Sequence, residues 1–288
     1  MDMHQKLLVY TDLDGSLLDH FSYSFAAAQP MLDLLEENAI PVIPVTSKTR
    51  AELFNLRNDL NNHHPFIVEN GAAVFIPKGY FSEVPSGCYS FNDFYCYQFS
   101  NPRSVYQELL NQVSAEFGDE FITFEQAGTQ GIVDMTGLDP ASAALANERD
   151  FSEPLSWTGS ETRKQQFIRL LEDQGATILQ GGRFLHVTGG CDKGKALKWL
   201  TDQFQQQNPG YRYTTLAAGD SHNDVAMLEA ADQAVLIRSP VHSAPDIIHP
   251  NIYKTDAFGP EGWAESVERL SKPFIQSTYS TKPLKAGE

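Results

Sequence analysis

The chain has 288 residues, of which 41% are hydrophobic and 20% charged, so it can bury the core of one or two globular domains. Its formal net charge of −16 argues against nucleic acid as a partner, and an anionic substrate would need a local cluster of basic side chains. No apolar run approaches the ~20 residues of a membrane span, and the first residues are too polar for a signal peptide. The cysteines Cys88, Cys96 and Cys191 have no metal-type spacing and indicate reduced thiols, so we predict a cytoplasmic protein with no membrane partner.

The first predicted strand ends in a pair of aspartates. Residues 7–10 form an apolar run typical of a strand buried on both faces of a parallel sheet, and Asp12, Asp14 and Gly15 follow it. Open α/β sheets bind ligands at the carboxyl ends of their strands. Two carboxylates one residue apart repel each other unless a cation or a shared proton intervenes, and oxygen ligands favour a hard ion such as Mg²⁺. The segment therefore predicts a metal site at this edge of the sheet.

Three other interpretations compete at this turn. Asp and Gly are also common in solvated turns that bind nothing. An EF-hand calcium loop needs a glutamate at its position 12, and counting from Asp12 that position is Tyr23, which excludes this class. A sugar-nucleotide transferase also holds a metal with an Asp-x-Asp pair, and only the rest of the chain can exclude it.

The second predicted strand, residues 41–45, follows a helix predicted at residues 26–38 and ends in a basic, hydroxyl-rich loop. The loop contains Thr46, Ser47, Lys48, Thr49 and Arg50. Free N–H groups at the start of the next helix, together with these hydroxyls and cations, would bind an anion. Thr49 with Glu52 three residues later equally predicts a plain capping box beside a solvated Lys and Arg. The local residues do not separate the two interpretations.

The α/β pattern is interrupted in the middle of the chain. A third predicted strand at residues 66–68 completes a strand–helix–strand–helix–strand order typical of a parallel sheet, and Gly, Pro and Ser around residues 77–87 indicate a boundary. Beyond it we predict strands at 94–99, 176–179 and 183–187, the last two joined by a hairpin at Gly181 and Gly182, and helices at 102–117, 140–146 and 161–174. We therefore predict an α+β domain at residues 87–188, inserted between core segments 1–86 and 189–288.

Residues 147–154 form a dense polar patch in this predicted insert. The segment reads Asn-Glu-Arg-Asp-Phe-Ser-Glu-Pro. From composition alone a solvated linker is the better interpretation.

The alternating pattern returns after residue 190. A helix starts at Lys193, and an apolar strand at residues 214–218 ends in Gly219, Asp220, Asn223 and Asp224. Further strands at 234–237 and 252–253, a helix at 260–270 and a partly mobile tail at 271–288 are predicted to follow. A parallel sheet would bring this strand end to the same edge as the two described above, with Lys193 nearby. Together the three strand ends indicate one shared site.

These motifs resemble the haloacid dehalogenase-like (HAD) phosphatase superfamily. Its four motifs are an aspartate pair before Gly-Thr or Gly-Ser, a Thr or Ser after the second strand, a Lys, and Gly-Asp-x-x-Asn-Asp. They match residues 12–16, Thr46, Lys193 and residues 219–224. The resemblance implies a Rossmann-like, doubly wound parallel sheet with an inserted α+β cap. The insert's position resembles the type IIB, Cof-like cap, and residues 46–52, 149–154 and 192–194 resemble the mannosyl-3-phosphoglycerate phosphatases.

The resemblance implies a catalytic role for each motif. Asp12 would be the nucleophile that forms an aspartyl phosphate, and Asp14 the general acid and base. Thr46 and the Ser47 N–H would bind phosphoryl oxygens, and Lys193 would neutralise their charge. A second aspartate favours phosphate esters over halides as substrates, because a halide leaving group needs no proton.

The resemblance also implies a Mg²⁺ cofactor. Asp12, the backbone carbonyl of Asp14 and Asp220 would hold the ion, with Asn223 and Asp224 completing or orienting its surroundings.

The implied substrate, mannosyl-3-phosphoglycerate, carries a phosphate, a carboxylate and a sugar and would yield mannosylglycerate and phosphate. Lys48, Arg50 and Arg149 are the predicted partners of its anionic groups. Glu153 is a candidate acceptor for sugar hydroxyl groups, and His186 a candidate to line the seam between cap and core.

Other functions stay open at this point. The substrate could be another glycosyl phosphate, such as glucosyl-3-phosphoglycerate or sucrose phosphate, or a range of sugar phosphates. A phosphomutase shares the four motifs. A module that binds Mg²⁺ and a phosphorylated ligand without turnover is the alternative outside the enzymes.

Overall fold

The computed structural model describes residues 4–180 and 183–275. Its strands are β1 (His4–Thr11), β2 (Val42–Pro44), β3 (Phe66–Val68), β4 (Ala73–Pro77), β5 (Tyr89–Phe91), β6 (Phe94–Gln98), β7 (Phe121–Thr123), β8 (Glu153–Trp157), β9 (Thr177–Gln180), β10 (Leu185–Thr188), β11 (Tyr211–Gly219), β12 (Gln233–Arg238) and β13 (Ile252–Phe258). Its helices are α1 (Gln29–Glu37), α2 (Arg50–Asp59), α3 (Arg103–Phe117), α4 (Phe124–Thr136), α5 (Pro140–Asn147), α6 (Glu161–Asp173), α7 (Lys193–Gln207), α8 (Val225–Ala230) and α9 (Gly259–Ser271). None of the helices in these described ranges combines the length and the apolar content that a bilayer crossing requires.

Five parallel strands form the central sheet, in the order β13-β12-β11-β1-β2. Side chains of β1 alternate between its two faces: Leu7 and Val9 pack with α1, α2 and α9, whereas Leu8 and Tyr10 pack with α7 and α8. The predicted doubly wound α/β core is thus confirmed. The chain leaves β1 toward β2 and returns on the other side at β11, so the strand order reverses between β1 and β11, where such folds bind ligands.

A second, antiparallel sheet lies beyond β2, in the order β3-β4-β6-β5. A parallel bridge between Val45 and Ile67 joins β3 to the chain beyond β2. The sequence predicted no element at β4, and it placed β6 in the insert, but β6 pairs with β4 along its whole length. The strand pairing therefore groups β5 and β6 with the core. The domain division at residue 87 stays a prediction.

A third sheet, also antiparallel, has the order β7-β8-β10-β9. Leu155, Leu185 and Val187 pack on α3 and α6 in one hydrophobic cluster. The predicted pairing of β9 with β10 is present, whereas Gly181 and Gly182 lie outside the described residues. β7 and α4 had no counterpart in the prediction. At the other end of the chain, Lys272–Phe274 forms a short 3₁₀ helix, and the rest of the predicted tail, from residue 276, lies outside the described residues.

Candidate active site

The carboxyl ends of β1 and β11 bring three aspartates together. Asp12 follows β1 directly, and its N–H donates to the Ala218 carbonyl at 2.8 Å. Gly15 has φ +80°, and a Cβ atom there would lie 2.5 Å from Asp220 Oδ2, so only glycine allows this turn to approach Asp220. Asp12, Asp220 and Asp224 each offer a carboxylate oxygen, and these oxygens lie within 4.8 Å of one another. The predicted convergence of the two strand ends is present.

Lys193, the first residue of α7, bridges two of these aspartates. Its Nζ donates to Asp12 Oδ1 and Asp224 Oδ1, both at 2.6 Å. Burial alone would lower the pKa of this ammonium, but the two carboxylates raise it above its usual value. Asp224 Oδ2 accepts from the N–H groups of Asp220 and Ser221, both at 3.0 Å. Asp224 therefore positions both Lys193 and the turn after β11.

The three carboxylates are incompletely compensated. Burial raises the pKa of Asp12 well above its usual value, and repulsion from Asp224 adds to this, while Lys193 partly opposes it. Burial also raises the pKa of Asp220, against a hydrogen bond of 3.1 Å from His242 Nε2. Asp12 Oδ2 accepts no hydrogen bond from any residue that the structure describes. A set of carboxylate oxygens with excess negative charge fits a hard divalent cation.

Asp14 lies apart from this carboxylate group. Its Oδ2 is 2.9 Å from Lys48 Nζ, and its Oδ1 is buried without a hydrogen-bond partner in the described part of the chain. Lys48 also lies 3.7 Å from Glu52. Burial opposes ionisation of Lys48, but Asp14 and Glu52 together raise its pKa. Asp14 thus pairs with a stable cation.

The loop after β2 contains the capping box that its sequence predicted. Thr49 Oγ1 accepts from the Glu52 N–H at 3.1 Å, and Glu52 Oε2 accepts from the Thr49 N–H at 2.8 Å, so the capping box is confirmed. Before it, Thr46 Oγ1 accepts from the Lys48 N–H at 3.1 Å. The Ser47 N–H donates to no described residue, which leaves it free for an anion.

The polar patch at residues 147–154 is not a solvated linker, and that interpretation is wrong. Arg149 is 9% exposed, Ser152 1% and Glu153 0%. The patch packs on the side chain of Glu69, which follows β3. Its carboxylate accepts from the Asp150 N–H (2.8 Å), the Phe151 N–H (3.2 Å) and Ser152 Oγ (2.5 Å). A distant buried acceptor, which composition does not reveal, explains why these polar groups are buried.

Two of the residues predicted to bind substrate are occupied by partners within the chain. Arg50 Nε donates to Asp150 Oδ2 at 3.0 Å. The Glu153 carboxylate accepts from Arg103 Nε (2.5 Å), Arg103 Nη2 (3.1 Å), Gln107 Nε2 (3.2 Å) and the Glu125 N–H (3.1 Å). This arrangement does not favour Glu153 as an acceptor for sugar hydroxyl groups.

Arg149 and His186 were also predicted to bind substrate. Arg149 Nη2 donates to the Ser47 carbonyl at 2.6 Å. His186 is 8% exposed, and its Nδ1 has no hydrogen-bond partner among residues 4–180 and 183–275. Burial and the positive charges of Arg149 and Lys193 lower the pKa of His186 to about 3. A neutral imidazole with a free nitrogen therefore lies near these two cations.

Sequence reasoning missed several residues that support the site. Asn70 Oδ1 accepts from Asn223 Nδ2 at 2.9 Å, and Glu69 holds the polar patch. Both follow β3, so the strand-end rule used for Asp12 could have singled them out. Trp263 Nε1 donates to Thr11 Oγ1 at 2.9 Å, next to Asp12, and no local pattern marks that contact.

Comparison with curated proteins finds relatives that match almost the whole chain. The glucosyl-3-phosphoglycerate/mannosyl-3-phosphoglycerate phosphatase of Methanococcoides burtonii is 38% identical over 266 residues, which covers 92% of this chain and 97% of that protein. The protein of the same name from Persephonella marina is 35% identical over 265 residues, with the same two coverages of 92% and 97%. The family model of sucrose-6F-phosphate phosphohydrolase matches residues 160–249, which include Lys193 and Asp220.

Solved structures show the same fold at low sequence identity. A haloacid dehalogenase-like hydrolase from B. subtilis has a TM-score of 0.57 at 18% identity, covering 92% of this chain and 98% of that one. The sucrose-phosphatase of Synechocystis, solved with sucrose and phosphate, has a TM-score of 0.58 at 13% identity, covering 93% and 98%.

Proposed function

The chain belongs to the haloacid dehalogenase-like phosphatases and is a phosphoric monoester hydrolase, and from this premise we propose that it hydrolyses mannosyl-3-phosphoglycerate to mannosylglycerate and phosphate. The two curated relatives carry both the glucosyl and the mannosyl compound in their name, so glucosyl-3-phosphoglycerate is the expected second substrate. The observation that carries the proposal is the position of Lys48 Nζ, 2.9 Å from Asp14 Oδ2. It puts a cation beside the proposed general acid.

In the first step, Asp12 is the nucleophile. Its Oδ2 forms a bond to phosphorus while the bond between phosphorus and the ester oxygen breaks, which leaves an aspartyl phosphate. Asp14 gives a proton to the departing oxygen. Lys193 fixes Asp12 through Oδ1 and offsets negative charge, while Thr46 and the Ser47 N–H bind phosphoryl oxygens.

In the second step, a water molecule attacks the same phosphorus. Asp14, now ionised, takes the proton of that water as general base. The bond between Asp12 and phosphorus breaks, inorganic phosphate leaves, and both carboxyl groups return to their starting states. One hydrolysis is thereby divided into two displacements at phosphorus.

Mg²⁺ is the proposed cofactor, and Asp12, Asp220 and the backbone carbonyl of Asp14 would hold it. When bound, the ion would reduce the repulsion between a carboxylate nucleophile and an anionic phosphate. Burial and repulsion from Asp224 raise the pKa values of Asp12 and Asp220, and a bound cation would stabilise both carboxylates in their ionised form. Asp224, whose carboxylate oxygens approach those of Asp12 and Asp220, and Asn223 would complete or orient the ligands.

The substrate's carboxylate belongs near Lys48. In a 3-phosphoglycerate only two carbons separate the ester oxygen from the carboxylate carbon. An ester oxygen that receives a proton from Asp14 would therefore bring this carboxylate within reach of the Lys48 ammonium. Arg50, whose Nε already donates to Asp150 and whose side chain is 17% exposed, is the second candidate partner through its remaining N–H groups. This charge pattern distinguishes glycosyl phosphoglycerates from sugar phosphates that carry no carboxylate.

His186 is the proposed contact for the glycosyl part. On β10 its neighbours Leu185 and Val187 face the hydrophobic cluster, so His186 points to the opposite face of the sheet. Its unpaired Nδ1 supports a hydrogen bond to a hydroxyl group. The inserted domain, predicted as residues 87–188, would then select the substrate. Because β6 pairs with β4 of the core, we place the first boundary of this domain after β6.

The test is initial-rate kinetics with Mg²⁺ on a panel of substrates. We expect mannosyl-3-phosphoglycerate to give the highest kcat/KM, followed by glucosyl-3-phosphoglycerate, with 3-phosphoglycerate, mannose 6-phosphate and sucrose 6-phosphate well below. Analysis of the products by NMR would show free phosphate and not an isomerised phosphate ester, which separates the enzyme from a phosphomutase. Chelation of divalent ions should stop turnover, and Mg²⁺ should restore it. Faster hydrolysis of simple sugar phosphates would contradict the proposed substrate.

Sucrose 6-phosphate is the second candidate, because the matching family model is that of sucrose-6F-phosphate phosphohydrolase. This substrate has no carboxylate. The variant Lys48→Met should therefore lower kcat/KM for mannosyl-3-phosphoglycerate more than for a sugar phosphate without a carboxylate. An equal loss on both would show that Lys48 acts through Asp14 alone.

A further inference from the structure

Three consecutive carbonyl groups of the loop after β2 are held from outside the loop. The Asn70 N–H donates to the Thr46 carbonyl at 2.9 Å, and the Glu69 N–H donates to the Lys48 carbonyl at 3.0 Å. Between them, Arg149 Nη2 donates to the Ser47 carbonyl at 2.6 Å. Each of these peptide oxygens therefore has a partner with a fixed position.

These contacts orient the groups that would bind phosphate. A peptide unit is planar, and its C=O and N–H point in opposite directions. The bond to the Thr46 carbonyl therefore directs the Ser47 N–H away from Asn70. In the same way, the bond from Arg149 to the Ser47 carbonyl fixes the Lys48 N–H, which donates to Thr46 Oγ1 at 3.1 Å. With that lone pair occupied, the Thr46 hydroxyl is oriented to donate its own proton elsewhere.

The backbone of Glu69 and Asn70, whose N–H groups hold the loop after β2, is strained. Glu69 has φ +49° and Asn70 has φ +59°, in the left-handed region that glutamate rarely adopts. A glycine would adopt this backbone more easily, so the glutamate side chain needs a separate explanation. That side chain is fully buried and accepts three hydrogen bonds from residues 150–152. It also lies 3.5 Å from Arg149 Nε.

We propose that Glu69 is a positioning residue that connects the polar patch of the insert to the phosphate-binding loop. Its carboxylate holds Arg149 and residues 150–152, Arg149 holds the Ser47 carbonyl, and the Glu69 backbone holds Lys48. The inference rests on the proposed function, since it takes this loop as the phosphate site. Arg149 accordingly acts through Ser47 and is not a direct ligand of the substrate. The phosphate site is complete only when the patch is docked on Glu69.

The variant Glu69→Gln tests this role. An amide keeps the size of the side chain but loses the charge opposite Arg149, and its NH₂ group cannot accept from Asp150 or Ser152. We expect kcat for mannosyl-3-phosphoglycerate to fall about 10²-fold, as for a small misplacement of binding groups. The inhibition constant of inorganic phosphate should rise about tenfold, since positioned N–H and O–H donors bind the anion. A lower melting temperature with unchanged kcat and unchanged phosphate inhibition would overturn the proposal.

A matched control is Glu120→Gln. Glu120 Oε2 accepts from Arg163 Nε at 2.9 Å, so this variant removes the same charge from another arginine–glutamate pair. Glu120 has no role in the site, and phosphate inhibition should remain at the wild-type value. If Glu120→Gln and Glu69→Gln weaken phosphate inhibition equally, the effect is general destabilisation and the positioning role is wrong.

A double-mutant cycle with Arg149→Met tests the connection between the two side chains. If Glu69 acts through Arg149, the double variant should show about the same rise in the phosphate inhibition constant as one single variant. Effects that multiply would overturn the coupling. Should Glu69→Gln fail to fold, Ser152→Ala, which removes one donor at 2.5 Å without changing charge, should still raise the constant several-fold. An unchanged constant there would contradict the proposal.

Thr46→Ala separates this inference from the proposed function. If Thr46→Ala leaves phosphate inhibition unchanged, the loop after β2 is not the phosphate site. The proposed function is then wrong in assigning phosphoryl binding to Thr46. If Thr46→Ala weakens inhibition and Glu69→Gln does not, only the positioning role fails.

Discussion

Buried carboxylates in two regions of the molecule are compensated in opposite ways. In the predicted insert, the fully buried Glu153 accepts four hydrogen bonds, two of them from one arginine. At the sheet edge, Asp12 shares Lys193 with Asp224 and keeps one oxygen without a donor from the described residues. Burying a charge without full pairing costs stability. The predicted insert therefore uses its acid for structure, whereas the sheet edge keeps under-compensated acids where a divalent cation would supply the missing positive charge.

The largest expected effect comes from replacing Asp12, one of the under-compensated acids at the sheet edge. Asp12→Asn should abolish turnover, by about 10⁴-fold or more, because the proposed nucleophile is lost. Its melting temperature should not fall, since the substitution removes a carboxylate whose pKa burial and Asp224 raise. Kinetics on an aryl phosphate and a thermal melt measure both quantities. Near-normal hydrolysis by the purified variant would contradict the assignment of the nucleophile.

Asp14→Asn should cause the next largest loss. Positioned proton transfer typically contributes about 10²–10⁴-fold to a rate. We expect a loss in this range for mannosyl-3-phosphoglycerate, whose leaving alkoxide needs a proton. The loss should be smaller for p-nitrophenyl phosphate, whose leaving group is stable as an anion. Equal losses on the two substrates would limit Asp14 to activation of water in the second step.

Glu153, the fully paired acid of the predicted insert, should behave differently from both aspartates. Glu153→Gln leaves Arg103 without its buried counter-ion and should lower the free energy of unfolding by about 3 kcal/mol. The KM for mannosyl-3-phosphoglycerate should stay near the wild-type value, because the four acceptor positions of Glu153 are used within the chain. Denaturant unfolding and steady-state kinetics provide the two measurements. A KM that rises strongly at unchanged stability would restore Glu153 as a sugar-binding residue.

The convergence at the sheet edge and the helix cap after β2 were predictable from local sequence pattern. The sheet-edge residues follow apolar strands directly, and the carboxyl ends of parallel strands meet at one edge, so the convergence of Asp12 and Asp220 was predictable from local pattern. The capping box at Thr49 depends on residues three apart and was equally predictable.

Contacts between distant segments were not predictable in this way. Glu69 meets residues 150–152 across more than 80 positions, and no local periodicity encodes that pairing. A polar run therefore looked like a linker although its partner buries it. The pairing of β4 with β6 has the same cause, because antiparallel partners across a 16-residue gap leave no mark in the composition of either strand.

The smallest expected effect is a pH dependence of stability that His186 contributes. Burial and the charges of Arg149 and Lys193 lower its pKa from 6.5 to about 3. Below pH 6.5 the unfolded chain binds a proton at this residue that the folded chain does not. Its contribution to stability is therefore complete above pH 6.5 and is lost as the pH falls toward 3. The free energy of unfolding of the wild type should decrease by up to about 1.4 kcal/mol per pH unit more steeply than that of His186→Asn.

His242 provides a control with the opposite sign. Its hydrogen bond to Asp220 raises its pKa, so its contribution is complete below the unfolded value of 6.5 and is lost as the pH rises through the folded value. Denaturant unfolding at pH 5, 6 and 7.5, without divalent ions, gives the profile of the free energy of unfolding against pH. His186→Asn should make the acid side of this profile less steep than in the wild type. His242→Asn should steepen it, because it removes a group that stabilises the fold at low pH. Parallel profiles for the wild type and His186→Asn would contradict a neutral, buried imidazole beside the two cations, and with it the proposed contact to the substrate.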